Sequence, residues 1–251
     1  MMKGRWIQLI GLTLLLTIRM DCTELAPTEI LDRIDRNMVF STARSEVEMI
    51  LTIGSRTIRK TLVSWSSGTE SAFIEFLSPA RDKGTRILKL DGVIRIFYPS
   101  AERVVRLSGH MLRQSMMGSD FSFEDMTERS KKLREEYRAV LIGEEPFDQR
   151  PCYVLELTST TSKQTYHTRK VWVDRERFLG LKEEMYSRSG KLLKIMCVEE
   201  TRNFDGRSYP VRVRMEDKLR QETHTVMQLN EIEFDIDIPR NTFSERNLLR
   251  R

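Results

Sequence analysis

The sequence predicts a mainly β protein with a few helices, built as a strongly curved antiparallel sheet partly closed by a helical lid over an apolar cavity. Three observations carry this. From Glu46 onward apolar residues recur at every second position in short runs, the period of half-buried strands. Glycine, proline and aspartate separate the runs at intervals of about ten residues, as hairpin-linked strands require. Helical segments are too few to cover the apolar face of so large a sheet, which leaves a hollow of the kind that takes ligands.

The N-terminus is set apart first. Lys3 and Arg5 precede the apolar run "WIQLIGLTLLLTI", and polar "RMDCTELA" follows, the layout of a secretory signal peptide over residues 1–22. Trp6–Ile18 is shorter than the ~20 apolar residues of a membrane-spanning helix. Small residues are scarce near Cys22, so the cut site is not fixed, and Arg19, Met20 and Asp21 make Cys22 a poor match to a lipidation site. The expected mature chain, residues 23–251, is a single exported domain located in the periplasm.

Losing Lys3, Arg5, Arg19 and Asp21 lowers the net charge from +5 to +3. With charges interleaved along the strands and no block of like charge, nucleic acid is not an expected partner. Cys152 and Cys197 stand far from any CxxC pattern, so neither a thiol redox motif nor a zinc knot is indicated. An oxidising compartment would permit a disulfide, but spacing leaves open whether the two thiols pair.

"EILDRIDRNMV" places Ile30, Ile34 and Met38 four residues apart, with Leu31 beside them. This is an amphipathic helix, with Thr28 as its expected cap. "EVEMILTI", "KTLVSW", "SAFIEFL", "TRILKL", "VIRIFYP" and "ERVVRL" follow as strands, with Asp91-Gly92 the clearest tight turn. Residues 109–136 break the pattern with methionines, polar turns and "ERSKKLREE", and read as short helices or a mobile excursion. Strands resume as "YRAVLIG", "CYVLELT", "KVWVD", "GLKEEMYS", "LLKIMCVEE", "YPVRVRMED" and "TVMQLNEIEF". No composition break separates the two groups, so one continuous sheet is simpler than two domains.

No catalytic residue, metal ligand or cofactor emerges. His110, His167 and His224 lack a GxSxG partner, and neither HExxH nor a phosphate-cradling glycine loop occurs. The acids of "MMGSDFSFEDM" are the remaining candidates. Asp120, Glu124 and Asp125 read either as a carboxylate pair or as caps of a turn after Gly118 and Ser119, the reading preferred here. Phe121, Phe123, Met111, Met116, Met117 and Met126 read either as core or as the adaptable lining of a greasy pocket.

Residues 73–126 also resemble a family, the bacterial outer-membrane lipoprotein-sorting proteins of the LolA-like group. The resemblance rests on Pro79 after an aromatic strand, the Lys83-Gly84-Thr85 turn, Tyr98-Pro99, the basic Arg103 and Arg106, and Gly118 to Asp125. "IRIF" departs from it, where an aromatic residue is common. The resemblance implies a half-barrel whose apolar cavity receives acyl chains of lipoproteins or lipids for transfer between envelope membranes. An inner-membrane transporter and an outer-membrane acceptor are the partners it suggests, and catalysis is not expected. A lipid or lipoprotein sensor that regulates a protein partner is the alternative on the same fold. Expected cavity residues are Phe73, Leu88, Ile96, Phe97, Met116, Met117, Phe121 and Phe123. Gly84, Tyr98, Pro99, Gly118, Ser119, Asp120 and Asp125 are expected at turns of the rim.

Overall fold

A computed structural model describes residues 25–38, 40–90, 92–128, 133–162, 164–204 and 206–250. The expected leader, Cys22 included, lies outside these. Helix α1 (Pro27–Met38) buries Ile30, Leu31 and Ile34 along one face, as the four-residue spacing predicts. It starts one residue before the expected cap. The Ala26 carbonyl accepts from Glu29 and Ile30, and Pro27 takes the first helical position, where its missing N–H costs nothing.

Thirteen strands follow among the described residues, one for each predicted run. The first group is β1 (Thr42–Ile53), β2 (Arg56–Ser67), β3 (Ser71–Ser78), β4 (Arg86–Leu90), β5 (Val93–Tyr98) and β6 (Arg103–Leu107). The second is β7 (Tyr137–Phe147), β8 (Arg150–Ser159), β9 (Thr168–Asp174), β10 (Gly180–Tyr186), β11 (Leu192–Phe204), β12 (Arg207–Asp217) and β13 (Thr223–Phe234). All belong to one sheet in the order β6-β5-β4-β3-β2-β1-β13-β12-β11-β10-β9-β8-β7. The chain therefore starts in the middle, runs by hairpins to one edge, crosses to the other and returns by hairpins to pair β13 with β1.

Because the two edges do not pair, the sheet stays open, but it is not flat. Helix α1 touches both β7 and β12. Five strand spacings in a flat sheet span about 24 Å, more than the ~18 Å length of a helix of 12 residues. A sheet that curls around the helix brings both ends of this span to it.

Register shows how the inner face is furnished. A continuous row across the strands reads Leu51, Thr225, Met215, Met196, Glu183, Val171, Leu155 and Leu141. Only Thr225 and Glu183 in this row are polar, and both have partners described below.

The opposite face of the first strand group is covered by a segment that has no periodic signature in sequence. A 3-10 turn (Arg240–Phe243) and helix α4 (Glu245–Leu248), capped by Ser244, fold back on β3 and β4. Leu248, 1% exposed, packs on Phe73 and Leu88, with Trp65, Leu90, Phe97 and Phe243 around them. Arg86 carries the backbone side of this contact by donating to the carbonyls of Leu248 and Arg250.

Truncating a fully buried leucine removes its contacts and leaves a cavity, at a cost of about 2–5 kcal/mol. Leu248→Ala should therefore lower the urea midpoint by that amount, with near-normal secondary structure by circular dichroism. A midpoint within error of wild type would show that the C-terminal segment is not bound to the sheet in solution.

Candidate functional site

The connection from β6 to β7 decides the shape of the concave face. It contains 3-10 turns at Gly109–Arg113 and Met116–Gly118 and the short helices α2 (Phe123–Glu128) and α3 (Leu133–Glu136). Between Gln114 and Phe123 it closes on itself. Met116 N–H donates to the Phe121 carbonyl at 2.8 Å and Phe123 N–H to that of Gln114 at 3.2 Å. The buried Ser119 hydroxyl lies 2.7 Å from the Met116 carbonyl and 3.2 Å from that of Phe121. The reversal needs left-handed backbone at Met117 and Gly118, with φ of 53° and 85°. Glycine meets this without the strain a Cβ brings.

This closed loop is pinned to the sheet by buried charges. The carboxylate of Asp120, 3% exposed, accepts from Thr223 at 2.6 Å and Thr225 at 2.7 Å, and the Asp120 N–H donates to Thr225 at 2.9 Å. Arg220 adds an ion pair at 3.7 Å and donates to the Ser119 carbonyl. Asp125 closes a capping box with Ser122, accepting its N–H at 2.6 Å. It also accepts from Tyr166 and from Lys194 of β11, both at 2.6 Å. Lys60 of β2, 1% exposed, pairs with Asp82 at 2.8 Å and donates to the Met117 carbonyl at 2.7 Å. Glu124 accepts from Thr165. In this structure Asp120 and Asp125 tie the connection to β13 and β11, and Lys60 ties it to β2 through the Met117 carbonyl.

Apolar side chains fill the space beneath. Met116, Phe121 and Phe123 are buried against Met49, Leu51, Ile74, Phe76, Ile87 and Ile96, with Met117 packed at the margin. Ile96 and Phe123 also line an open groove of about 370 Å³ beside β5 and β6, with Tyr98, Val105, Leu107 and Met111. Phe73, Leu88 and Phe97 lie elsewhere, on the opposite face under the C-terminal segment. Strand alternation forces this division, since Ile96 and Phe97 are neighbours and so are Phe73 and Ile74. Gly84 stands against Pro99, which a Cβ there would meet at 3.6 Å.

A second cavity, of about 130 Å³, lies under α1. Ile34 and Met38 form its roof, and Met185, Met196, Val198, Val213 and Met215 are among its walls. These residues of β10, β11 and β12 did not stand out in the sequence. Their signal was the alternation of methionine and valine with charge in "KEEMYS", "KIMCVEE" and "VRVRMED", which marks an inward face without saying what covers it. Asp125, Arg169 and Glu183 also border the cavity. Arg169 and Glu183 pair at 2.7 Å, both nearly buried, and Arg169 stacks over the rings of Tyr137 and Tyr166. Asp125, Arg169 and Glu183 thus each face an opposite charge.

The turn from β9 to β10 closes the outer end. Asp174 accepts from the N–H groups of Glu176 at 2.9 Å and Arg177 at 3.0 Å, and pairs with Arg150. Burial acts to raise its pKa, but those N–H groups and the Arg150 guanidinium outweigh burial and hold it below the ordinary value. Cys152 and Cys197 are separate thiols, pushed up by burial.

This architecture, an open antiparallel half-barrel whose concave face is crossed by a pinned connection and covered by one N-terminal helix, defines the class of LolA-like folds. Solved structures agree. A DUF1329 family protein from Desulfovibrio piger superposes with a TM-score of 0.81 at 24% identity, covering 88% of this chain and 96% of its own. A domain from Vibrio parahaemolyticus, named for outer membrane lipoprotein sorting, gives 0.79 at 22% identity over 90% and 100%. A LolA superfamily protein from Nitrosomonas europaea gives 0.74 at 26% identity over 89% and 100%. Residues 68–250 match the family described as "-like: Uncharacterized protein", and the chain belongs to that family. No curated protein matches the chain.

Two outcomes test the site's construction. Asp120→Ala removes the acceptor of the part-buried Thr223 and the buried Thr225 hydroxyl and should destabilise the protein by roughly 1–3 kcal/mol. Asp120→Asn retains one acceptor oxygen and should cost less. Equal urea midpoints for the two variants would contradict the hydrogen-bonding role. Asp174, with a folded pKa below its unfolded value near 3.9, stabilises the fold above that value, and the contribution fades as pH falls through the lower folded pKa. Asp174→Asn should therefore be less stable at neutral pH and lose less stability on acidification than wild type. Parallel pH–stability curves would exclude this contribution.

Proposed function

We propose that this protein is an envelope carrier that shields the acyl chains of a lipid or lipoprotein under α1. The observation that supports it most is the lining of that cavity. Met38, Met185, Met196 and Met215 converge from four elements on one space, and methionine adapts to varied apolar shapes better than any branched side chain. The fold shared with a structure named for lipoprotein sorting supports the same reading, as does the apolar run Trp6–Ile18, which argues for export to the periplasm.

Cavity size sets a condition on the mechanism. At about 130 Å³ it is comparable with an engineered cavity of ~150 Å³ that holds one benzene, so a full acyl chain needs α1 to move away. Ile30, Leu31 and Ile34 are the main apolar anchors of α1. At roughly 2 kcal/mol each they oppose opening by about 6 kcal/mol. A chain of about sixteen carbons, at about 0.8 kcal/mol per buried CH₂, gains about twice that. Cargo can therefore hold the helix open, and the empty protein closes on its own methionines. Transfer follows when an acceptor offers the chain a competing apolar site.

The test uses two adjacent positions. Met196 faces the cavity, while Cys197 alternates to the other face, in register with Lys182 and Arg214. Met196→Glu places an unpaired charge among apolar groups and should abolish binding of a fluorescent fatty-acyl probe in a protein that still folds. Cys197→Glu lands between two cations and should bind the probe within about twofold of wild type. If both folded variants bind like wild type, the cavity under α1 does not hold the chain.

A further inference from the structure

Four of the elements that border the apolar cavity also line a polar recess of about 490 Å³. On α1, Ile34 and Met38 line the first, while Arg33, Arg36 and Asn37 line the second. In the turn after β9, Leu179 and Gly180 line the first, while Arg177 and Phe178 line the second. On β11 and β12, Val198 and Pro210 line the first, while Asn203 and Ser208 line the second. On α1 and between β9 and β10 consecutive residues divide between the two spaces, and β11 and β12 each run from one to the other, so the recess and the cavity are neighbours. A molecule with an apolar body and a polar end would span them.

The charge of the recess selects that polar end. Among the described residues that line it, three are arginines and one, Glu176, is acidic. Arg33 is engaged by Glu29 at 2.6 Å and lies over the Phe178 ring at 4.5 Å. Arg36 donates only to the Asp32 carbonyl, and Arg177 to the Thr201 hydroxyl at 3.1 Å. Among the described residues neither of these two has a carboxylate partner. Two guanidinium forks on facing elements suit the oxygens of a phosphate better than a point charge does.

Asn37 joins the recess to the motion of α1. Its amide donates to the carbonyls of Arg177 and Phe178, at 2.5 and 3.1 Å, so the C-terminal turn of the helix is fastened at the recess. A group bound by Arg36 and Arg177 would bridge the same two elements.

We infer that the recess is a binding site for a phosphate ester, carried by a lipid whose acyl chains occupy the space under α1. This rests on the carrier reading and narrows it. The diacylglyceryl group of a lipoprotein is joined to cysteine through a thioether and brings no phosphate, so the site favours a phospholipid.

Displacement of the fluorescent fatty-acyl probe tests this. Phosphatidylglycerol and diacylglycerol with identical chains are compared as competitors, on wild type and on the double variant Arg36→Gln/Arg177→Gln. Glycerol phosphate, which has no chain, is titrated separately by calorimetry. Wild type should prefer phosphatidylglycerol by about tenfold or more, and the variant should lose that preference while binding diacylglycerol unchanged. Equal competition by the two lipids in wild type overturns the inference and leaves the carrier reading standing. Glycerol phosphate binding that the variant loses, without a lipid preference, overturns the lipid assignment in favour of a free phosphate ester. Failure of the probe and of both lipids to bind refutes the carrier reading, and the inference falls with it.

Discussion

The burial of charged groups where one connection meets the sheet is the constraint on which the rest of this structure depends. A sheet built outward from its middle, first toward β6 and then inward from β7, requires the chain to cross its own concave face once. That crossing places polar backbone over an apolar surface, where unsatisfied groups are costly. The loop from Gln114 to Phe123 satisfies its own N–H and carbonyl groups first, and Lys60, Asp120 and Asp125 then fasten it to β2, β13 and β11. Removing one partner of such a set leaves the other charged and buried, which is more damaging than the pair is favourable.

Fastening the connection has a consequence for the space around it. It fills the centre of the concave face with Met116, Phe121 and Phe123 and leaves room only at its flanks. One flank is the groove by β5 and β6, and the other is the cavity under α1. Of the two segments that cover the concave face, the connection is held by the buried Asp125–Lys194 ion pair together with hydrogen bonds of Asp120 and Lys60, while α1 buries Ile30, Leu31 and Ile34 and donates through Asn37. Apolar contact can be exchanged for apolar contact with an incoming chain, whereas a buried ion pair cannot. On the carrier reading proposed above, the helix is the cover that would move and the connection the one that would stay.

Much of this was legible in the sequence, and each part for a local reason. Every strand was visible because side chains of a strand alternate between two faces, so charge and apolarity alternate with them. Helix α1 was visible through the spacing of Ile30, Leu31 and Ile34. Gly118 followed by a serine and acids announced a turn, but Asp120, expected to cap it by accepting backbone N–H groups, accepts instead from the side chains of Thr223 and Thr225. The C-terminal segment gave no warning, because a four-residue helix has too little length for a period.

Which face of each strand turned inward was a different matter. Alternation assigns Ile96 and Phe97, or Phe73 and Ile74, to opposite faces without saying which face is concave. The choice belongs to what covers each face: the crossing connection on one and Leu248 with Phe243 on the other. The same holds for the partners of the buried charges. Asp120 and Thr225 are 105 residues apart and Asp125 and Lys194 are 69, so no window of sequence contains both members. Local period and turn chemistry therefore determined the elements and their hairpins. Only the folded sheet decided the seam between β1 and β13, the inner row of methionines and the place of each acid, because those depend on contacts between segments that become neighbours when the chain closes.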